Sequence, residues 1–195
     1  MSVAVRALSG ADLQAALGDL ARLRIAVFAA WPYLYHGSAE YEQDYLAEFT
    51  AAPDAVLVAA FDEDLIVGAA TASPLAAQED YIRAPFVDRE IDPAGVFYFG
   101  ESVLLPEYRG QGIGHAFFDE REAAARRFGA SSAAFCAVVR PLDHPARPGD
   151  YVPLDAFWQR RGYAPVPGMI GEFTWQEHGE TGESPKPMQF WIRTL

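Results

Sequence analysis

The chain has 195 residues, 51% of them apolar, which is enough for one domain with a sizeable hydrophobic core. Acidic residues number 27 against 15 basic ones, and the resulting net charge of -12 argues against general binding to nucleic acids or anionic membranes. A single cysteine, Cys136, rules out an internal disulfide and a cysteine-based zinc site. The four histidines lack ligand spacing, so we predict no metal site. No stretch reaches membrane-spanning length and the start resembles no signal peptide, which predicts a cytoplasmic protein that does not enter a membrane.

The first half of the chain predicts a strand, two helices and a hairpin. Residues 3–8 predict the strand, and Ser9 is a plausible N-cap for a helix over 11–28. Pro32 interrupts the chain before a second helix over 38–49. Residues 56–61 and 65–72 predict two strands joined by an acidic turn. The proline-containing stretch 74–95 looks irregular and is interpreted as an insertion in a single domain spanning residues 1–195.

The second half contains a predicted βαβ unit. The continuous apolar run at 96–105 is typical of a strand buried on both faces. A helix is predicted over 113–128, with Gly129 as its stop, and a second buried strand over 133–139. These two strands should therefore be parallel. A short helix at 154–161 and late strands at 173–175 and 190–192 complete an α/β fold with a mixed sheet.

Glycines alternate at the junction between the first buried strand and its helix, in the sequence YRGQGIG (residues 108–114). Ligands of open α/β sheets bind at this junction, where free backbone N–H groups and the helix dipole attract phosphate. Glycine permits close approach of the backbone, and Arg109 adds positive charge. The lysine of a nucleotide-binding P-loop and the spacing of a dinucleotide fingerprint are both missing.

The stretch from Arg109 to Gly114 resembles the acyl-coenzyme A loop of the GNAT acetyltransferases, the Gcn5-related superfamily. The preceding VLLPEY is similar to the family's strand-then-proline approach, and AFWQRRGYAPV (residues 156–166) resembles the family's later segment, FY-x-x-x-GF. The resemblance extends over nearly the whole chain. It implies a mixed, mostly antiparallel sheet with a central splayed pair of parallel strands and flanking helices.

The resemblance also implies the co-substrate, acetyl-coenzyme A, and where it binds. Pantetheine would lie between the splayed strands and pair with the backbone of the first, and the pyrophosphate would rest on the glycine loop. The cofactor-binding residues implied in this way are Val103, Leu104, Leu105, Arg109, Gly110, Gln111, Gly112, Ile113 and Gly114.

Glu101 is the candidate general base. An alkylamine acceptor is protonated at neutral pH, so a base must remove a proton before the nitrogen attacks the thioester. Glu101 is a lone carboxylate in an apolar strand, where a buried charge is costly unless it is paired or functional. We place it on the same face as Phe97, Phe99 and Val103. The alternative is a buried acid bonded to Arg140 or to a backbone amide.

The proton donor to the leaving thiolate is harder to identify. In many relatives it is the tyrosine of the FY segment, but here that position holds Trp158. Tyr151 is the preferred substitute, with Tyr163 as a second. Cys136 lies mid-strand without a neighbouring histidine, so we interpret it as core and predict direct attack within a ternary complex.

The acceptor is interpreted as a small-molecule or peptide amine, with Trp31, Tyr33 and Tyr35 as candidate binding residues because loop aromatics can stack on a substrate or hold a cation. The predicted function is acetyl-coenzyme A-dependent N-acetyltransfer. Two alternatives stay open: transfer of another acyl group or to a hydroxyl acceptor, and an acyl-coenzyme A sensor without turnover. Monomer and homodimer are both compatible with the sequence.

Overall fold

The computed structural model describes residues 3–195. Seven strands lie within that range: β1 (Ala4–Leu8), β2 (Val56–Asp62), β3 (Leu65–Pro74), β4 (Val96–Leu104), β5 (Ser132–Val138), β6 (Ala164–Trp175) and β7 (Ser184–Thr194). They form one mixed sheet in the order β1-β2-β3-β4-β5-β7-β6. The β4–β5 pair is parallel and its neighbours are antiparallel, which confirms the predicted fold class.

Helices cover both faces of this sheet. They are α1 (Gly10–Phe28), α2 (Ala39–Ala51), α3 (Asp80–Val87), α4 (Ile113–Phe128) and α5 (Asp155–Arg160). Successive side chains of β2 point to opposite faces of the sheet. Leu57 and Ala59 pack with α1, whereas Val58 and Ala60 pack with α4. Phe118 of α4 belongs to a further cluster that includes rings of α5. The sheet is therefore a middle layer between α1, α2 and α3 on one face and α4 and α5 on the other.

The parallel strands β4 and β5 diverge after a short contact. Their pairing is confined to residues 96–98 of β4 and 132–134 of β5, although both strands continue well beyond it. A wedge-shaped opening therefore separates the carboxyl-terminal halves of the two strands. It lies beside the first turn of α4, where the glycine loop ends.

A β-bulge lies in β4 next to this opening. Ala72 of β3 pairs with Phe99, but Ala70 pairs with Ser102, so β4 carries one extra residue around Gly100 and Glu101. The buried Arg121 of α4 holds the bulge, because its Nη1 lies 3.4 Å from the carbonyl oxygens of both Thr71 and Glu101. Burial lowers the pKa of Arg121 to about 10.

Two regions differ from the prediction. The stretch 74–95 is not irregular: it contains α3, which tolerates Pro85 in its interior, flanked by two short 3-10 turns. The late strands β6 and β7 are much longer than predicted. Pro185 and Pro187 lie in the part of β7 that pairs with β6 alone, where a missing N–H costs little, and such prolines obscure the strand pattern.

None of the helices within residues 3–195 combines the length and the hydrophobicity that a membrane-spanning helix needs.

Candidate active site

The glycine loop lies between the end of β4 and the start of α4. Gly110 and Gly112 adopt φ values of +76° and +83°, in the left-handed region that glycine enters without strain. A Cβ atom at either position would meet no atom within 4 Å, so the loop is open on its outer side. The backbone conformation, rather than crowding, therefore requires glycine here.

The N–H groups of this loop are available to a ligand. Within residues 3–195, the N–H groups of residues 110–114 donate to no backbone carbonyl or side chain. The first turn of a helix leaves such donors unsatisfied, and α4 starts at Ile113 with Gly112 as its N-cap. Arg109 is exposed beside them, with Nη2 3.4 Å from the carbonyl of Leu104. The arrangement can bind an anionic phosphate group.

The β4 edge leads from this loop into the sheet. Beyond Tyr98, the side of β4 that faces β5 has no strand partner among the described residues. Val103 and Leu104 pair with β3 on the other side, and the N–H of Leu105 donates to the carbonyl of Val67. An extended ligand lying in the opening can therefore pair with a free strand edge.

A cavity of about 630 Å³ lies on the α1–α2–α3 face of the sheet, next to the divergence of β4 and β5. Ten of its lining residues are aromatic, including the predicted Tyr33 and Tyr35. Four are carboxylates and one is a cation, Arg24. A concave site of this size and composition accepts a small molecule.

Glu101 forms part of the cavity wall and is only 8% exposed. Its Oε2 accepts a short hydrogen bond from the hydroxyl of Tyr45 and lies 3.1 Å from Nη1 of Arg24. Its Oε1 is buried without a hydrogen-bond partner among the described residues. A buried carboxylate oxygen without a donor is costly, so a bound molecule that supplied one would be favoured here.

Arg24 is held by two carboxylates. Its Nε lies 2.6 Å from Oε2 of Glu42, whose Oε1 accepts a hydrogen bond from Tyr35 at 2.9 Å. The guanidinium also lies over the ring of Tyr45, 3.7 Å from its centroid. Burial by itself lowers the pKa of Arg24, but the neighbouring carboxylates of Glu101 and Glu42 outweigh burial and raise it. The cation is therefore held in place and its charge is balanced by two carboxylates.

Two expectations about Glu101 are wrong. Its partner is Arg24, since Arg140 bonds instead to Glu177 at 2.5 Å and to the carbonyl of Pro32. The side chain of Glu101 also lies on the other face of β4 from those of Phe97 and Phe99, which pack against α4. The bulge shifts the alternation of side chains by one residue, and Glu101 thereby joins Val103 on the α1 face.

Tyr98 and Cys136 lie where β4 and β5 part, and both line the cavity. The Tyr98 hydroxyl is 3.1 Å from Sγ of Cys136. Burial raises the pKa of Cys136 to about 12, and burial together with the neighbouring Cys136 raises the pKa of Tyr98. Both groups are therefore protonated at neutral pH.

Two predicted site residues, Trp31 and Tyr151, are not among the residues that line the cavity. Their rings contact each other edge to face, with centroids 5.9 Å apart. Trp158 packs against Phe135 and Trp191 on the α4 face. These contacts give Trp158 a packing role.

Arg24, Tyr45 and Tyr98 are site residues that the sequence interpretation missed. One signal was present: Arg24 follows Leu20 by four residues, so it interrupts the apolar stripe of α1 with a charge. Tyr45 follows Glu42 by three residues on α2, on the same side of that helix. Tyr98 carried no such signal in its apolar run. Among the described residues, no group of three or more His, Cys, Asp or Glu side chains is arranged to hold a metal ion.

The family of the chain follows from comparison with known proteins. Residues 23–163 match the model of the acetyltransferase (GNAT) family. No curated protein matches the chain in sequence. Among solved structures, the ribosomal-protein-alanine N-acetyltransferase from Brucella melitensis is similar, with a TM-score of 0.60 and 15% identity over 98% of this chain and 99% of that one.

Two further structures share the fold. The PaiA N-acetyltransferase from Thermoplasma acidophilum, solved in complex with coenzyme A, has a TM-score of 0.54 and 15% identity over 100% of both chains. An acetyltransferase from Streptococcus agalactiae has a TM-score of 0.57 and 12% identity over 99% of this chain and 98% of that one. Identities this low show a common fold alone. The family match covers most of the chain, and the chain therefore belongs to the acetyltransferase (GNAT) family.

Proposed function

We propose that this protein transfers an acetyl group from acetyl-coenzyme A to the nitrogen of an amine, by direct attack in a ternary complex. One arrangement carries the proposal: the free edge of β4 joins an open glycine loop at one end to a cavity containing the unpartnered Glu101 Oε1 at the other. Residues 109–114 would hold the pyrophosphate, and the backbone of residues 103–105 would lie along the pantetheine.

The reaction needs a base at the cavity end. In the proposed step, Glu101 Oε1 takes a proton from the acceptor's ammonium group, and the neutral nitrogen attacks the thioester carbonyl. The new N–C bond forms, the C–S bond breaks, and the nitrogen releases its second proton to solvent water. Arg24 and Tyr45 hold the other carboxylate oxygen, Oε2, which leaves Oε1 as the oxygen that would accept the proton.

The departing thiolate then needs a proton. Tyr98 and Tyr151 are the two candidate donors, and Tyr98 is favoured because it lines the cavity at the point where the strands part. Trp31, Tyr33 and Tyr35 are the proposed acceptor-binding residues; Tyr33 and Tyr35 lie in the cavity wall, and Trp31 would act from the loop beside Tyr151.

Steady-state kinetics test this proposal. Thiol release from acetyl-coenzyme A is measured against a panel of amines while both concentrations are varied. Direct attack predicts rate plots that intersect, because both substrates bind before any product leaves. Parallel plots, or no thiol release above hydrolysis with any amine, would contradict it.

The state of Cys136 gives a second test of direct attack. Its high pKa makes the thiol a poor nucleophile at neutral pH. Mass spectrometry of the protein mixed with acetyl-coenzyme A alone should therefore detect no acetyl adduct on Cys136. A stoichiometric adduct that an amine discharges would replace direct attack with a cysteine relay.

A further inference from the structure

We propose that the acceptor is a small primary amine with an apolar, preferably aromatic, body and no carboxylate, bound with its ammonium group on Glu101 Oε1. This inference rests on the proposed function and adds the chemical class of the acceptor. It is drawn from the charges and rings of the cavity.

Glu101, in the wall of the cavity, has one carboxylate oxygen that lacks a hydrogen-bond donor. Glu101 Oε1 is buried and without a partner among the described residues, while Oε2 is occupied by Arg24 and Tyr45. An ammonium group brings both the missing donor and the opposite charge. A neutral hydroxyl acceptor would bring the donor but not the charge.

Aromatic rings form the walls above this carboxylate. Phe28, Tyr33, Tyr98, Phe173 and Trp175 line the cavity together with five further rings. Such walls bury an apolar body favourably, and their faces attract a cation within about 6 Å of the ring centre.

The cavity's outer groups oppose a carboxylate on the acceptor. Asp44, Glu79 and Glu172 line the cavity and are exposed. Among the described residues that line the cavity, Arg24 is the one cation, and Glu42 and Glu101 already balance its charge. An amino-acid acceptor would therefore place its carboxylate among like charges without a partner.

Matched acceptors test the inference on the wild-type protein. Phenethylamine, phenylalanine and 2-phenylethanol share one ring and differ only in the carboxylate or the amine. With acetyl-coenzyme A, we expect kcat/KM for phenethylamine to exceed that for phenylalanine by at least about 100-fold, and no transfer to the alcohol. Phenylalanine accepted as well as phenethylamine would overturn the inference, and so would a preference for spermidine or for a peptide.

Binding provides a readout that does not depend on turnover. Calorimetry with phenethylamine in the presence of coenzyme A should give saturable binding to the wild type and at least about tenfold weaker binding to Glu101→Gln. Asp44→Asn should also weaken binding, by a few-fold. The control is Asp54→Asn, which removes one exposed carboxylate away from the cavity and keeps a residue that tolerates the local φ of +57°.

The outcomes separate the two proposals. If coenzyme A and phenethylamine both bind but no thiol is released, acetyl transfer is wrong and the ligand class stands. If thiol is released only with carboxylate-bearing or peptide amines, acetyl transfer stands and the ligand class is wrong. If Glu101→Gln binds phenethylamine as tightly as the wild type, the ammonium does not bind on Oε1 and the inference fails.

Discussion

The two carboxylate oxygens of Glu101 differ: Oε2 contacts Arg24 and Tyr45, whereas Oε1 has no hydrogen-bond partner among the described residues. This difference makes the role of Glu101 testable. Replacement by glutamine keeps the shape and the contacts of one oxygen but removes the basicity. We expect Glu101→Gln to lower turnover of an alkylamine by about 10²–10⁴-fold, with affinity for acetyl-coenzyme A near normal. Stopped-flow thiol release and calorimetry measure the two quantities.

A weakly basic aromatic amine supplies the control for this variant. Such an amine is already neutral at pH 7, so its attack needs no base beforehand. If Glu101 acts as a base, Glu101→Gln should lose far less activity with that amine than with an alkylamine. Equal losses with both acceptors would indicate that Glu101 stabilises the site through Arg24 instead.

Tyr98 and Tyr151 are the two candidate proton donors, and replacing either with phenylalanine removes only the hydroxyl group. We expect Tyr98→Phe to slow turnover by at least about tenfold, because Tyr98 lies where the strands part, and Tyr151→Phe to have a smaller effect. A thioester analogue with a more acidic leaving thiol needs no proton and should restore the rate of Tyr98→Phe. A larger effect of Tyr151→Phe, rescued in the same way, would assign the proton to Tyr151.

At the scale of elements, the sequence predicted the helix α4 and the β2–β3 hairpin closely, because each has a local signal. Gly129 ends α4 in the left-handed conformation, and an acidic turn joins the two strands. The bulge in β4 has no local signal, since it depends on pairing with β3 and on Arg121 from a distant helix. The sequence therefore could not predict on which face of the sheet the Glu101 side chain lies, nor that it pairs with Arg24.

The glycine loop makes a prediction at this scale. Gly112→Asp places a carboxylate beside the free N–H groups and should weaken binding of coenzyme A by about 10²-fold through repulsion of the pyrophosphate. Gly112→Ala is the matched control, because it carries the same left-handed φ without the charge and has open space for its Cβ. Calorimetry on both folded variants measures the difference.

The Gly112→Ala variant also measures how much stability is lost when a residue other than glycine adopts the left-handed φ at position 112. An L-residue in the left-handed region costs about 1–2 kcal/mol, so Gly112→Ala should lose that much stability and keep most of its affinity. Equal affinity losses in Gly112→Ala and Gly112→Asp would mean that backbone conformation, not charge, governs binding. Unchanged affinity in Gly112→Asp would place the pyrophosphate elsewhere.

The charge of the whole molecule bears on the choice of acceptor. A net charge of -12 attracts a cationic amine over long distances and repels an anionic one, and both effects weaken as salt increases. The proposed co-substrate, acetyl-coenzyme A, is anionic, so its binding would have to rely on the local donors of residues 109–114. In this proposal the amine is attracted by the overall charge and the cavity, whereas the co-substrate is bound by one helix N-terminus.

Binding at the opening between β4 and β5 should stabilise the whole fold, because the ligand joins strands that otherwise part after three paired residues. At about 100 times its dissociation constant, acetyl-coenzyme A should raise the free energy of unfolding by about 2.7 kcal/mol. Thermal or urea denaturation with and without ligand measures this gain. Adenosine at the same concentration is the control, since it lacks both the pyrophosphate and the pantetheine. No shift with millimolar acetyl-coenzyme A, or an equal shift with adenosine, would contradict the proposed binding along residues 103–114.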